Sequence, residues 1–300
     1  MKAPNKWQIL GWLAVGLSSV IACFWAVWGI IENFHEGWFY DSLFSNLRLM
    51  LVQYLSPMLI FVGLSLLSIY LPRIGSIAHA ALGLLLPLFL RQFNFTWIVF
   101  ITSPLVLLGA LYWFGRPQPR RVVLSLVVGL PILTLIICGV GPVVRVAGRV
   151  NDGNLQARLI EGNRVRLMWA PDGPGWPRAG TDWFAATSRC QHLQADGQVL
   201  SPVTENIWRL PTVEEAVRSM SRHCVNSGGT WDAQNKEASY QVTPDKESPL
   251  WNIHSQIIYW WTANEIDDVN AYMIVYDGKV WPRRKQVHPA YFGFRCVKSP

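Results

Sequence analysis

Charge is scarce in this chain of 300 residues. Only 15% of the residues are charged, whereas about 25% is typical of soluble domains, and 51% are hydrophobic. Such a composition excludes intrinsic disorder and argues against a wholly water-soluble protein. The scarcity is uneven, since residues 1–144 hold 8 Lys/Arg and 3 Asp/Glu while residues 145–300 hold 18 and 16. Nucleic acid is not an expected partner, because the second half is nearly charge-balanced.

The apolar half contains five stretches without any Asp, Glu, Lys or Arg. About 20 helical residues cross the hydrocarbon core of a bilayer, and only helices satisfy the backbone there when period-2 alternation is absent. The third stretch is marginal at 17 residues. The sequence therefore predicts a membrane domain over residues 1–145, with transmembrane helices at about 7–31, 49–72, 74–90, 95–115 and 122–144.

The positions of the basic residues predict the orientation of this domain. With five crossings, one side of the membrane receives Lys2, Lys6, Arg73, Arg116, Arg120 and Arg121. The opposite side receives Glu32, Glu36 and Asp41, with single arginines at positions 48 and 91. We therefore expect a multi-pass protein of the bacterial cytoplasmic (inner) membrane. Its N-terminus is expected in the cytoplasm and residues 146–300 in the periplasm or outside the cell, with the lipid bilayer as the first partner.

Residues 146–300 have the mixed charge and turn signals of a water-soluble domain large enough for its own core. A strand is predicted at Arg164–Ala170, and helices at Thr181–Leu193 and from Pro211 to about Cys224. Thr212 and Glu215 have the spacing of a capping box. A long loop is expected over Val225–Pro249. Four late strands are predicted at Ile257–Thr262, Ala271–Tyr276, Lys279–Arg283 and Tyr291–Val297, with Asp277-Gly278 as a tight turn.

An ordered series of short motifs in this half resembles one known family. The series is Trp208-Arg209-Leu210-Pro211-Thr212 before an acidic helix, then Tyr259-Trp260-Trp261-Thr262, a hairpin, and Gly293-Phe294-Arg295-Cys296-Val297. It is similar to the C-terminal domain family of the Lcl collagen-like adhesin, which resembles the formylglycine-generating-enzyme branch of the C-type-lectin fold. The resemblance covers roughly residues 160–298. It implies a mixed α+β, C-type-lectin-like domain with a twisted antiparallel sheet and two helices.

The resemblance also bears on the cysteines. Related lectin-like folds link the first helix to the last strand, which implies a disulfide between Cys190 and Cys296 and leaves Cys224 free. The residues alone allow any single pairing of the three, or three reduced thiols in a reducing setting. The related oxidase uses a reactive cysteine pair late in its chain, whereas the C-terminal segment here offers only Cys296. Oxidase activity is therefore not expected.

Candidate binding residues follow from aromatic and basic side chains. Trp260 and Trp261 would stack on sugar rings if exposed, although lectin-like folds also bury many tryptophans in their cores. The run Arg283-Arg284-Lys285 would contact an anionic polysaccharide or lipid headgroups, or would simply be a solvated loop.

The loop after the first span contains the only other notable pattern. Glu32, His35 and Glu36 have helical spacing, but a carboxylate–histidine metal site needs a second such motif facing the first, and the sequence has none. These residues are weak metal candidates, and no cofactor is expected.

The main functional hypothesis is a membrane-anchored, extracytoplasmic ligand-binding protein without catalytic activity, acting in adhesion or sensing. Its ligand would be an envelope polysaccharide, a protein or a small molecule. Two alternatives stay open: a structural subunit bound to a partner membrane protein in a larger complex, and a membrane enzyme or transporter that uses Glu32, His35 and Glu36.

Overall fold

The computed structural model describes residues 5–91 and 94–300. Lys2 and the start of the fourth apolar stretch at Gln92 lie outside the described residues. The chain divides into two compact units. The helical unit contains residues 1–38 and 42–144, and the C-terminal unit contains residues 39–41 and 145–300.

Six helices belong to the apolar part of the described chain. They are α1 (Lys6–His35), α2 (Leu43–Tyr54), α3 (Ser56–Tyr70), α4 (Pro72–Leu90), α5 (Phe95–Phe114) and α6 (Arg120–Ala147). Helices α1, α4, α5 and α6 are each long and apolar enough to cross a membrane. Many of their large side chains are exposed, such as Phe89 at 85% and Ile137 at 67%, as expected of surfaces that contact lipid. The prediction of several membrane-length helices is confirmed.

The second expected span differs from the prediction. In place of one helix over 49–72, the structure has α2 and α3 joined at Leu55 with a bend of 64°. Pro57 lies in the first turn of α3. The backbone N–H groups of a first turn have no partner within the helix, so a proline there removes no helical hydrogen bond. By length and composition, the described residues thus contain four helices that could cross a membrane, or five spans if the bent pair is one broken span.

The helical unit packs through small residues. Ala14, Ala22 and Ala26 on α1 are fully buried, so neighbouring backbones can approach closely. Gly75 on α4 shows how close the approach is, because a Cβ there would lie 2.3 Å from the Ser68 Oγ on α3.

The C-terminal unit contains two short helices and four small sheets. Its helices are α7 (Trp183–Gln191) and α8 (Val213–Ser219). Its strands are β1 (Arg158–Gly162), β2 (Val165–Trp169), β3 (Ser221–Arg222), β4 (Val225–Asn226), β5 (Thr230–Asp232), β6 (Glu237–Ser239), β7 (Tyr259–Glu265), β8 (Asn270–Val275), β9 (Val280–Arg284), β10 (Phe292–Gly293) and β11 (Val297–Lys298). The sheets have the orders β1-β2-β11, β10-β7-β8-β9, β3-β4 and β5-β6.

The four-stranded sheet separates two hydrophobic cores. Because side chains alternate across a strand, Trp260 on β7 packs in one core and Trp261 in the other. Ile274 and Met273 on β8 divide in the same way. The alternation of side chains along its strands therefore places this sheet between the two cores, at the centre of the unit.

Several predictions for this unit hold. Thr212 and Glu215 form the expected capping box at the start of α8. The turn Asp277-Gly278 joins β8 to β9, with Gly278 at a φ of +88° that favours glycine. The disulfide between Cys190 and Cys296 is present and links α7 to the segment before β11.

Other predictions for this unit are wrong. Helix α8 ends at Ser219, because residues 221–226 form the β3–β4 hairpin. The expected loop over Val225–Pro249 contains β4 and the β5–β6 hairpin, whose paired strands are only three residues long and have weak sequence signals. The main sheet is mixed, since β10 pairs with β7 in parallel while β7, β8 and β9 are antiparallel.

Candidate functional site

Trp260 and Trp261 lie inside the C-terminal unit. Both indoles have 0% exposure. Trp260 stacks on Trp251 with ring centroids 3.6 Å apart, and the Trp261 Nε1 donates to the Thr181 carbonyl oxygen at 2.9 Å. The expectation that these two residues present stacking surfaces to a sugar is wrong, because side chains that complete the two cores cannot also face a ligand.

The basic run does not form one surface. Lys285 is 3% exposed; its ammonium group binds the Glu265 carboxylate and lies 4.9 Å from the Trp183 ring centroid. The Lys285 charge is therefore already neutralised. Arg284 is exposed and Arg283 is half-buried. No described carboxylate forms a salt bridge with either guanidinium, so these two cations are available to a ligand.

An aromatic side chain that was not predicted as a binding residue lies beside one of these arginines. Trp281 on β9 is 43% exposed, and the Arg283 guanidinium lies 6.0 Å from its ring centroid. Strand β9 is an edge of its sheet, since only β8 pairs with it in the described chain. The spacing of Trp281 and Arg283 by two residues in a strand was the available signal, because it places both on one face. Arg284, the next residue, is on the other face of the same edge strand. We call Trp281, Arg283 and Arg284 the β9 surface.

A buried charge cluster lies where helix α6 ends. Asp245 is 1% exposed, and its carboxylate accepts hydrogen bonds from three guanidinium groups. The Arg145 Nε donates at 2.7 Å, the Arg149 Nη2 at 2.9 Å and the Arg222 Nη1 at 2.8 Å. Burial alone raises the pKa of Asp245, but the charges of Arg149 and Arg145 outweigh it, and the pKa is lowered. Asp245 is thus held ionised.

The residues after Asp245 extend this cluster. Glu247 is fully buried and accepts from the backbone N–H groups of Val150 at 2.8 Å and His223 at 2.5 Å. Lys246 is 2% exposed and donates to the Ser255 carbonyl oxygen. Burial lowers the pKa of Lys246 to about 7, with a further contribution from the charge of Arg149. The cluster thus ties residues 145–150 to residues 245–247.

A separate cavity of about 500 Å³ lies between β1, the end of α8 and the β3–β4 hairpin. Its polar wall includes Asp152, Arg158, Ser219 and Ser221. Ser219 and Ser221 are 1% and 5% exposed, and neither hydroxyl has a hydrogen-bond partner among residues 5–91 and 94–300. The Nε of Arg158 is also buried without a partner in the part of the chain that the structure describes, although the Nη2 of the same guanidinium binds Asp152. A buried hydroxyl or N–H that makes no hydrogen bond costs about 1–3 kcal/mol.

Cys224 lies at the exposed side of this cavity. It follows His223 in the two-residue turn between β3 and β4, and both residues have positive φ values, 51° and 61°. This pair of conformations is the one that closes a tight hairpin, and it is unusual for residues other than Gly, Asn and Asp. Burial and the nearby Asp152 and Glu247 charges raise the pKa of the Cys224 thiol. The thiol is therefore mostly protonated at neutral pH.

Glu32, His35 and Glu36 lie at the end of α1 and just after it, and all three are half-buried. Within residues 5–91 and 94–300, no group of three or more His, Cys, Asp or Glu side chains has the arrangement needed to hold a metal ion.

A scan against protein-family models gives no match to this chain. No curated protein is significantly similar to it in sequence. The resemblance to the Lcl C-terminal domain thus stays a prediction from short motifs, and the function has to be argued from the residues themselves.

Proposed function

We propose that this protein is a membrane-anchored binding protein without catalytic activity, whose C-terminal unit recognises an anionic polysaccharide of the cell envelope. The observation that carries this proposal is the β9 surface, where an exposed indole lies beside Arg283 and Arg284 follows on the same edge strand; neither arginine has a carboxylate partner among the described residues. Arginine binds carboxylate and sulfate groups through paired N–H donors, and a tryptophan face adds apolar contact to a sugar ring.

The location of β9 supports this assignment. An edge strand leaves one row of backbone groups free for a long ligand that lies along it. Pro282, between Trp281 and Arg283, has no backbone N–H and discourages a further strand from pairing there. The edge is therefore better suited to a sugar polymer than to β-strand addition by a peptide.

We further propose that the helical unit anchors the protein in the cytoplasmic membrane, with its N-terminus inside and the C-terminal unit outside. This orientation requires five crossings, so the bent pair α2–α3 must act as one broken span. The basic residues Arg73, Arg116 and Arg120 then lie on the cytoplasmic side. The expected lectin-like fold of the C-terminal unit belongs to the same proposal, as does membership of the Lcl C-terminal domain family.

Binding is tested with full-length protein in detergent and a sulfated polysaccharide such as heparin, with neutral dextran as the reference polymer. We expect heparin to bind and dextran not to bind. The double variant Arg283→Gln/Arg284→Gln should weaken heparin binding at least about five-fold, because two cations without a carboxylate partner are lost. Trp281→Ala should weaken it as well.

Arg189→Gln is the matched control, because Arg189 is an exposed arginine on α7 without a salt bridge in the described chain. Unchanged heparin affinity in the Arg283/Arg284 variant, or an equal loss in the Arg189 variant, would refute the β9 surface as the binding site.

The orientation has its own test. In intact cells, a membrane-impermeant maleimide should label Cys224, which is exposed. Labelling only after the cells are broken open would place the C-terminal unit in the cytoplasm and would favour four crossings.

A further inference from the structure

A cavity in the helical unit lies between the start of α1 and the end of α5. Its volume is about 450 Å³, within the range of small-ligand sites. The wall includes Trp7 and Gln8 on α1, Trp113 on α5, and Arg116 and Gln118 in the segment after α5. These positions are at the ends of two membrane-length helices, where a spanning helix meets lipid headgroups.

Contacts between α1 and the segment after α5 hold this wall in place. The Arg116 N–H donates to the Trp7 carbonyl oxygen at 2.8 Å. A Cβ at Gly115 would lie 2.7 Å from the Cα of Gly11, so the two backbones approach this closely only because both residues are glycine. The Trp7 ring also stacks on Phe114, with ring centroids 5.9 Å apart. The cavity is therefore formed before a ligand arrives, which lowers the entropic cost of binding.

Arg116 contributes a cation to the cavity. Its Nη1 donates to the carbonyl oxygens of Trp113 at 3.3 Å and Gly115 at 2.8 Å, which fixes the position of the guanidinium group. Its Nε and Nη2 make no hydrogen bond within residues 5–91 and 94–300, and the side chain is exposed. These two nitrogens share one edge of the guanidinium group, and such an edge donates in parallel to a phosphate or carboxylate.

The distribution of charge in the apolar half favours an anion at this cavity. Residues 1–144 contain three carboxylates, those of Glu32, Glu36 and Asp41. Glu32, the first of them along α1, is separated from Lys6 by about 39 Å of helix. The ammonium group of a zwitterionic headgroup would meet the charges of Arg116 and Lys6, and Lys6 already lies over an indole of the wall, 5.0 Å from its centroid.

Exposed apolar side chains continue from the cavity along both helices. On α1, Ile9 and Leu13 are exposed and lie one turn apart. On α5, Leu107 and Phe114 are exposed and lie two turns apart on one face. A soluble anion does not cover these surfaces, whereas the acyl chains of a lipid do.

We propose that this cavity is a binding site for one anionic phospholipid of the cytoplasmic leaflet. The phosphate binds the free edge of the Arg116 guanidinium group, and the amides of Gln8 and Gln118 bond the hydroxyl groups of a headgroup such as glycerol. The site rests on the proposed anchoring in the membrane, but not on recognition of a polysaccharide at the β9 surface.

Native mass spectrometry of the full-length protein in detergent measures the lipid that remains bound. Phosphatidylglycerol and phosphatidylcholine with identical acyl chains are added separately, and inorganic phosphate at millimolar concentration is the competitor. We expect the first phosphatidylglycerol to bind at least about five-fold more tightly than phosphatidylcholine, and phosphate not to displace it. This comparison needs no variant, so it tests the site even where a substitution impairs folding.

Arg116→Gln should weaken phosphatidylglycerol binding at least about five-fold and leave phosphatidylcholine binding unchanged. Arg116→Lys keeps the charge but loses the paired donors, so its loss should be smaller. The matched control is Arg73→Gln, because Arg73 is an exposed arginine at the start of α4, on the same predicted side, and does not line the cavity. This control should bind phosphatidylglycerol as the parent does, and circular dichroism checks that each variant keeps its helices.

The proposal is overturned if the two lipids bind equally, if phosphate displaces phosphatidylglycerol, or if Arg73→Gln loses as much affinity as Arg116→Gln. Alkaline carbonate extraction of cell membranes tests the anchoring separately. A protein that stays in the membrane pellet but does not distinguish the lipids refutes only this site. Release into the carbonate supernatant refutes the anchoring, and the site with it.

Discussion

The two units of this protein bury different kinds of polar group. Among the described residues, the helical unit buries neutral side chains such as Ser18, whose Oγ donates to the Ala14 carbonyl oxygen at 2.8 Å and bonds the Tyr112 Oη at 3.0 Å. In the C-terminal unit, Asp245 alone accepts from three arginines.

The contrast follows from what each unit gains on folding. Helices in a bilayer, as proposed for this unit, gain little from burying apolar surface, because lipid is as apolar as leucine; close contact of small residues such as Ala22 would then hold them together. A unit in water gains from its hydrophobic cores and can add charges when each is fully partnered. Removing one partner of a buried polar group should therefore lower the stability of the C-terminal unit much more than that of the helical unit.

The largest effect is expected from the disulfide. Cys190→Ala/Cys296→Ala removes a link between residues 106 positions apart, which should lower the stability of the C-terminal unit by about 4–5 kcal/mol in the chain-entropy model. Tryptophan fluorescence during denaturant unfolding of the full chain in detergent measures it. Cys224→Ala is the control and should change nothing. A loss below about 1 kcal/mol would show that the two cores hold this unit without the link.

The buried carboxylate at the end of α6 comes next. Asp245→Ala leaves the Arg149 and Arg222 guanidinium groups without their partner, and we expect a loss of about 3–5 kcal/mol. Arg166→Ala, which breaks an exposed pair with Glu161, should cost at most about 1 kcal/mol in the same fluorescence experiment. Equal costs for the two variants would remove the distinction between buried and surface charges in this unit.

Lys246 should make stability depend on pH. Its pKa is about 7 in the folded protein and near 10.4 in an unfolded chain. Between these values the unfolded chain binds the additional proton, so this group makes stability rise from pH 7 to pH 10, and below pH 7 its unfavourable contribution is complete. Lys246→Met should therefore raise the unfolding temperature most at or below pH 7, and this advantage should shrink towards pH 10. An advantage that is constant across this range would contradict the titration of Lys246.

The smallest effect is expected in the helical unit. Tyr112→Phe removes one hydrogen bond to Ser18, and such bonds between membrane helices average about 0.6 kcal/mol. Tyr70→Phe, at a side chain that is 55% exposed, should cost less. Detergent-induced unfolding followed by circular dichroism detects the difference. If Tyr112→Phe lowered stability by nearly as much as Asp245→Ala, the expected difference between the two units would be wrong.

Long, strongly patterned features were predictable from the sequence. The apolar length of α1 and α6 predicted their helices, and the spacing of Thr212 and Glu215 predicted the start of α8. The hairpin β5–β6 was not predictable, because three-residue strands carry almost no periodicity. The bend at Leu55 was missed because the apolar stretch continues through it without a change in composition.

The candidate site residues were also predictable only in part. Trp281 was overlooked and Trp260 was selected, since composition marks an aromatic residue but not the side of the sheet that it faces. The Asp245 cluster joins residues about 100 positions apart, and nothing local in residues 244–249 reveals it.

The sequence by itself determined that membrane-length helices precede a charged, sheet-containing unit, because hydrophobic length and charge density act locally and add along the chain. Only the tertiary structure decided which tryptophans are buried, which cations remain unpaired, and that Ser219, Ser221 and Arg158 share one cavity. Exposure and pairing depend on which distant segments pack together, and a residue's own neighbours in sequence do not specify that packing.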